Sequence, residues 1–187
     1  MFTFPGSAAK KLNSQTKIKT IGEGNPDAKI QLIVYESLTC GHCADFHIDV
    51  YPHLKKNFID KGLAKIEFRN FPLDLAALNA SKIAHCKNDG SSEILHFLFN
   101  NQKKWVKGNN IDDFNSNLKN IIDSEDFGLN FDKCINDSYI ENHILEDRIE
   151  AVKKFDIDST PTLIINNKKF NKPLNYKNLK KTLEKLI

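Results

Sequence analysis

Ile30-Gln31-Leu32-Ile33-Val34-Tyr35-Glu36-Ser37-Leu38-Thr39-Cys40-Gly41-His42-Cys43 is the stretch that decides the fold, because an apolar, β-rich run leads directly into two closely spaced thiols. Ile30 to Glu36 reads as a buried strand, and Ala44 to Phe58, free of internal glycine, continues as a helix. The CGHC then sits at a helix N-terminus, where unpaired N–H groups and the positive end of the helix dipole stabilise a thiolate. Cys40, the outer thiol, is the expected nucleophile, and Cys43 is its resolving partner. An imidazolium at His42 would add positive charge beside the Cys40 sulfur, and Gly41 leaves that sulfur uncovered. A zinc half-site also uses this spacing, but zinc needs two further ligands, and Cys86, Cys134 and the scattered histidines form no second close pair. A local structural disulfide is the other alternative. No metal and no cofactor is expected.

At 187 residues the chain suits one well-cored domain, or a core domain with a sizeable insertion. Phe supplies 13 of the aromatic residues, which bury large apolar area without needing a hydrogen-bond partner. No apolar run approaches the length of a membrane span. Met1-Phe2-Thr3-Phe4-Pro5-Gly6 is not the charged-then-apolar opening of a secretion signal, so the chain is either cytosolic or mature. The net charge of +3 comes from 27 Lys and Arg dispersed among 24 acids. With no basic block or interleaved aromatics, nucleic acid is not an expected partner.

Residues 1–29 read as an extended lead-in, with a strand candidate around Ile18 to Ile21 and a loop through Gly22, Gly24, Asn25 and Pro26. The helix after the CGHC is expected from about Cys43 to Asp60, kinked at Pro52 and stopped by Gly62. In Ala64-Lys65-Ile66-Glu67-Phe68-Arg69 apolar and charged residues alternate, which predicts a second strand, parallel to the first, with its charges facing water or an edge. Helical patterns then fill Ala76 to Lys87, Glu93 to Lys104, Ile111 to Ile121, Phe131 to Asn136 and Tyr139 to Phe155, with turns at Gly90, Gly108 and Gly128. Strands return at Thr162 to Ile165 and Lys168 to Phe170 around an Asn166-Asn167 hairpin turn. A last helix is expected from Tyr176 to Ile187. His47, His53, His85 and His96 fall on helical segments without ligand spacing and read as surface or packing residues.

Cys86 and Cys134 lie among apolar residues. As free thiols they would be small core residues. As a bridge closing a loop of about 50 residues they would stabilise the fold by roughly 4 kcal/mol in the chain-entropy model. Unpaired thiols beside an oxidising site would be liable to exchange, which favours the bridge.

Ser159-Thr160-Pro161-Thr162 places a proline at a strand entry, where it cannot donate a ladder hydrogen bond. A cis Thr160–Pro161 bond would explain it, and an ordinary trans proline ending a loop is the alternative. The order of these parts, strand, CxxC at a helix start, strand, helical run, Thr-Pro, hairpin and final helix, resembles the thioredoxin fold of DsbA-like thiol:disulfide oxidoreductases. The resemblance runs from about Gly22 to the C-terminus and includes Arg69-Asn70-Phe71-Pro72-Leu73.

It implies an α/β thioredoxin fold, a central mixed sheet flanked by helices, in which 1–73 and 156–187 form the catalytic domain and 74–155 an inserted helical domain. It also implies that Pro161 is cis against a Cys40–Cys43 redox disulfide, with the Thr160 backbone free to pair with substrate. The family commonly has cysteines where Cys86 and Cys134 fall. The implied activity is introduction of disulfides into exported polypeptides by a monomer in the periplasm, its signal sequence removed, with reoxidation by a DsbB-like, quinone-linked membrane partner.

Two positions depart from the family. A buried acid often precedes the first cysteine by six residues, where Val34 stands here. Glu36, on the same strand face, is a candidate proton acceptor for Cys43, the alternative being a solvent-facing carboxylate at a strand edge. Gly41 replaces the proline of many DsbA proteins, and a Gly-His pair is typical of disulfide isomerases. The rival functions are therefore an isomerase or reductase on the same fold, or a non-catalytic scaffold that binds peptides as a chaperone. Isomerases usually carry an added N-terminal dimerisation domain, and about 21 leading residues leave no space for one.

Overall fold

The computed structural model describes residues 17–187. Met1 to Gly6, and with them most of the expected lead-in, lie outside the described residues. Five strands form one sheet: β1 (Ile21–Gly24), β2 (Ile30–Glu36), β3 (Ala64–Asn70), β4 (Thr162–Ile165) and β5 (Lys168–Lys169), in the spatial order β1-β3-β2-β4-β5. Only β2 and β3 run parallel; the other pairs are antiparallel. This is the mixed, helix-flanked sheet expected from the resemblance.

The first strand falls three residues later than its apolar run suggested. Gly22 and Gly24 belong to β1 and not to a loop. A Cβ at Gly22 would lie 2.6 Å from the Ile66 carbonyl oxygen, and one at Gly24 would lie 2.4 Å from that of Ala64. The two glycines therefore allow the close approach of β1 to β3.

Alternation along β2 divides its side chains between two layers. Ile30, Leu32 and Val34 join Phe46, Leu54, Phe58, Ile66 and Phe68 in the main core. Ile33 and Tyr35 pack on the opposite face with Phe71, Ala151 and Ile157. On β3 the charged face is not left to water. Glu67 accepts from Lys65 and Arg69, and Arg69 reaches the buried Asp147.

The helix after Cys40 is composite: α1 (Gly41–Asp45), a π turn (Phe46–Val50), α2 (Tyr51–Leu54) and a second π turn (Lys55–Ile59). Pro52 has no N–H to offer the preceding turn, and the chain widens there into the first π turn. Gly62 then ends the segment at φ 70°. Between β3 and β4 lie α3 (Leu75–His85), α4 (Glu93–Asn100), α5 (Gln102–Trp105), α6 (Ile111–Asp123), α7 (Phe131–Ile135) and α8 (Ser138–Phe155). The single helix expected over Glu93 to Lys104 breaks at Asn101 (φ −107°, ψ 12°). Ala80, Ile83, Leu98, Phe99 and Trp105 of these helices share one continuous core with β2 and β3. The final helix, α9 (Tyr176–Leu183), is shorter than its apolar spacing suggested, because Leu179 and Leu183 are buried but Ile187 is exposed.

Cys86, just after α3, is bonded to Cys134 on α7 across 48 residues of sequence, with Cα atoms 5.5 Å apart. Replacing both by Ala should lower the unfolding free energy by roughly 4 kcal/mol or less, the loop-closure limit for this span. Urea denaturation would measure the loss, and the CGHC redox chemistry should be retained.

Candidate active site

β2 ends at Glu36, Ser37 to Thr39 turn the chain, and Cys40 (φ −78°, ψ 121°) occupies the N-cap position of α1. No side chain caps this end, so its backbone N–H groups are free to face the sulfurs. The loop is fixed from three directions. The buried Gln102 of α5 donates to the carbonyls of Leu38 and Cys40, each at 2.9 Å. Thr39 Oγ1 donates to Asp74 Oδ2 at 2.7 Å, and Leu73 N donates to Ser37 Oγ. Gln102 was not apparent from the sequence, since a glutamine on an expected continuous helix carries no signal; the break at Asn101 puts it here.

The two free thiols have unlike surroundings. Cys43 is wholly buried, whereas Cys40 is half-buried. A hydrogen bond from Cys43 lowers the Cys40 thiol most, against the opposing effect of burial, and Thr160 and the backbone N–H groups of Cys43 and His42 bring it to about 5. The Thr160 carbonyl, 3.5 Å from Cys40 Sγ, accepts from the S–H form, while the buried Thr160 hydroxyl has no hydrogen-bond partner. Burial first, then the Cys40 contact and the negative charge of Glu36, push the Cys43 thiol far above its ordinary value. One sulfur is thus held as a thiolate and the other as a thiol.

The Thr160–Pro161 bond is cis. Thr160 and Pro161 border a groove of about 440 Å³ that continues past His42, Phe46, Val50 and Leu174. The His42 ring is exposed and lies 3.6 Å from Asp45, so its lowering of Cys40 comes through the backbone N–H and not through the imidazole. A Cβ at Gly41 would meet nothing within 4 Å. The position therefore has no steric need for glycine.

Glu36 is buried, not a solvent-facing edge carboxylate. His47 Nε2 donates to its Oε2 at 2.7 Å, while Oε1 has no partner. The Nδ1 atoms of His47 and His96 lie 2.9 Å apart. His47 and His96 are therefore members of a polar network as well as packing residues. For His47 a signal existed, because it follows Cys43 by four residues and shares its helix face. His96 and Glu23 come from elements distant in sequence, and no local pattern marks them.

A thioredoxin family model matches residues 16–185. The chain belongs to the thioredoxin family, in its DsbA-like branch. Disulfide bond formation protein D of Bacillus subtilis is 28% identical over 171 residues, covering 87% of this chain and 74% of that protein. A Rickettsia bellii protein carrying a protein-disulfide oxidoreductase name is 29% identical over 147 residues, covering 76% of this chain. The chain spans 55% of that relative, about half of its length. Among solved structures, alpha-DsbA1 of Wolbachia pipientis is 30% identical with a TM-score of 0.77, covering 89% of this chain and 90% of its own. No helix among the described residues is long and apolar enough to cross a membrane.

Two outcomes are expected of this DsbA-like site. The depressed Cys40 pKa stabilises the folded reduced protein fully above the ordinary thiol value of about 9, and this contribution is lost as pH falls through about 5. Calorimetry of reduced and oxidised protein should therefore show the reduced form losing ground to the oxidised form as pH drops across that window. Gln102→Ala, which leaves two carbonyls without their donor, should destabilise the protein by about 2 kcal/mol in chemical denaturation.

Proposed function

We propose that this chain is a DsbA-type thiol:disulfide oxidoreductase that oxidises client polypeptides. The observation that carries the reading is the asymmetry between Cys40, held as a thiolate, and Cys43, buried and held as a thiol. A client thiolate attacks Cys40 Sγ of the oxidised pair. The Cys40–Cys43 bond breaks, and Cys43 leaves with the electron pair and takes a proton, for which Glu36 is the nearby donor. A second client thiolate then attacks the client sulfur of the mixed disulfide. The oxidised client departs, and the Cys40 thiolate remains.

Stabilising that thiolate lowers the free energy of the reduced enzyme and makes it a better oxidant. The cis Pro161 borders the groove, and in this reading the Thr160 backbone pairs with an extended client there. His42 tunes the pair. In this reading residues 74–155 act as a helical insertion domain whose Asp74 and Gln102 hold the CGHC loop from the side. The protein works as a monomer on exported, reduced polypeptides in the periplasm, and a DsbB-like, quinone-linked membrane oxidase restores its disulfide.

Equilibration with glutathione mixtures, followed by thiol trapping and mass measurement, tests the direction. An oxidase requires a potential tens of millivolts or more above the glutathione poise of about −220 to −260 mV. A potential near the thioredoxin value of about −270 mV would make the protein a reductase. Full biological activity in Cys40→Ser, without thiol oxidation, would favour the non-catalytic scaffold.

A further inference from the structure

Behind the CGHC, four titratable side chains from four elements form an unbroken hydrogen-bonded line. Glu36 Oε2 on β2 meets His47 Nε2 at 2.7 Å; His47 Nδ1 meets His96 Nδ1 on α4 at 2.9 Å; His96 Nε2 meets Glu23 Oε1 on β1 at 3.1 Å. Glu23 also accepts from Ser92 and lies 3.0 Å from Lys55 Nζ, which in turn bonds the exposed Asp60 at 2.6 Å. At one end, Glu36 retains a buried oxygen with no partner, and the charge of this carboxylate acts on Cys43. At the other, Lys55 opens to solvent, roughly 20 Å along the helix from Cys40 at 1.5 Å per residue. We infer that Glu36, His47, His96 and Glu23 form a proton relay that carries protons between Cys43 and the surface at Lys55, away from the face where a client covers Cys40.

Three hydrogen bonds join the four groups, and each holds one proton. With both carboxylates ionised, three protons on two rings make the His47–His96 pair a single shared cation. Moving the central proton from His47 Nδ1 to His96 Nδ1 shifts that charge from the Glu36 end to the Glu23 end without turning a ring. Glu23 suits an ionised terminus: burial opposes its charge, but hydrogen bonds from His96 and Ser92 hold its carboxyl well below the usual range. Glu23 in turn adds to burial in pushing the Tyr51 phenol upward, so Tyr51 stays neutral in the wall.

The His47 ring is enclosed by aromatic faces, whereas about 20% of the His96 side chain stays exposed. His47 stacks on Phe99 at 4.0 Å and His96 on Tyr51 at 4.4 Å, and Phe68 lies nearly perpendicular to His96 at 5.2 Å. At the buried His47 such faces favour a cation and exclude water, which leaves the hydrogen-bond line as the path out to His96. Among the described residues no cluster is arranged to hold a metal.

The inference rests on the proposed thiol chemistry and adds a requirement to it. When Cys43 attacks a mixed disulfide at Cys40, a bond forms between the two enzyme sulfurs, the bond from Cys40 to the other thiol breaks, and that thiol leaves as a thiolate. The Cys43 proton must then leave a buried site; in the oxidising direction one must arrive.

The reduced full-length protein mixed with Ellman's reagent separates the steps. Cys40 attack releases the first thionitrobenzoate, and Cys43 attack on the resulting mixed disulfide releases the second. In His96→Gln and in Glu23→Gln, which keep size and hydrogen-bonding capacity, the first phase should stay within about twofold of wild type. The second should slow by about tenfold or more near pH 7, with its pH profile displaced upward, and added imidazole should restore it. An unchanged second phase in both variants would overturn the relay, as would a slowed one with an unmoved pH profile and no rescue. Absence of the first phase in wild type would remove the redox reading, and the relay with it.

Discussion

Burial of the Cys43 sulfur one helical turn from the half-exposed Cys40 is the constraint on which the whole site depends. Two thiols on one short segment differ in acidity only if their surroundings are fixed independently. Sheet register does this. Tyr35 pairs with Thr162 across β2 and β4, which brings the Thr160–Pro161 bond beside Cys40. Glu36 pairs with Asn70 across β2 and β3, and Phe71 N donates to the Glu36 carbonyl at 2.8 Å. A shift of one residue in either pairing would turn the Glu36 side chain to the other face and separate it from Cys43.

Two buried carboxylates, Asp147 and Glu36, flank the parallel strands, and they differ in how completely they are satisfied. Asp147 accepts from Arg69, from the Asn70 backbone and from the Asn70 amide, so both of its oxygens are bonded. His85 beside it is pushed down to about 4, chiefly by burial, and adds no charge. That network ties α8 to the sheet. Glu36, on the core side, keeps one oxygen unpaired. A buried carboxylate oxygen without a partner is costly, and an apolar side chain would avoid the cost. Its retention at the one place where a thiol must gain or lose a proton argues for chemistry over packing.

Much of this architecture is legible in the chain because periodicity and turn chemistry act locally. The alternation of β3 named its core face, and Asn166 and Asn167 took the left-handed turn that links β4 to β5, at φ 47° and 64°. Legibility failed where one element's conformation depends on another. Gly22 and Gly24 read as loop residues because glycine weakens a lone strand, yet here they allow contact with the β3 backbone. Lys65, Glu67 and Arg69 read as a solvated face because Asp147 lies 78 residues beyond Arg69. His96 and Glu23 were silent for the same reason.

The π turns connect the ordinary sequence signal of a proline to the least ordinary part of the site. Pro52 cannot donate within the helix, and the turn before it closes from Tyr51 N to Phe46 O, one residue wider than an α turn. His47 sits in this widened turn and reaches both Glu36 and His96. The second π turn, closed from Asp60 N to Lys55 O at 2.9 Å, carries the lysine that meets Glu23. A regular α-helix rotates each successive residue by about 100°, so each extra residue re-aims the side chains on its C-terminal side. Pro52 therefore does more than bend the helix: the widening beside it sets the angular offset between Cys43, which must face the sheet, and Lys55, which must meet β1 and water.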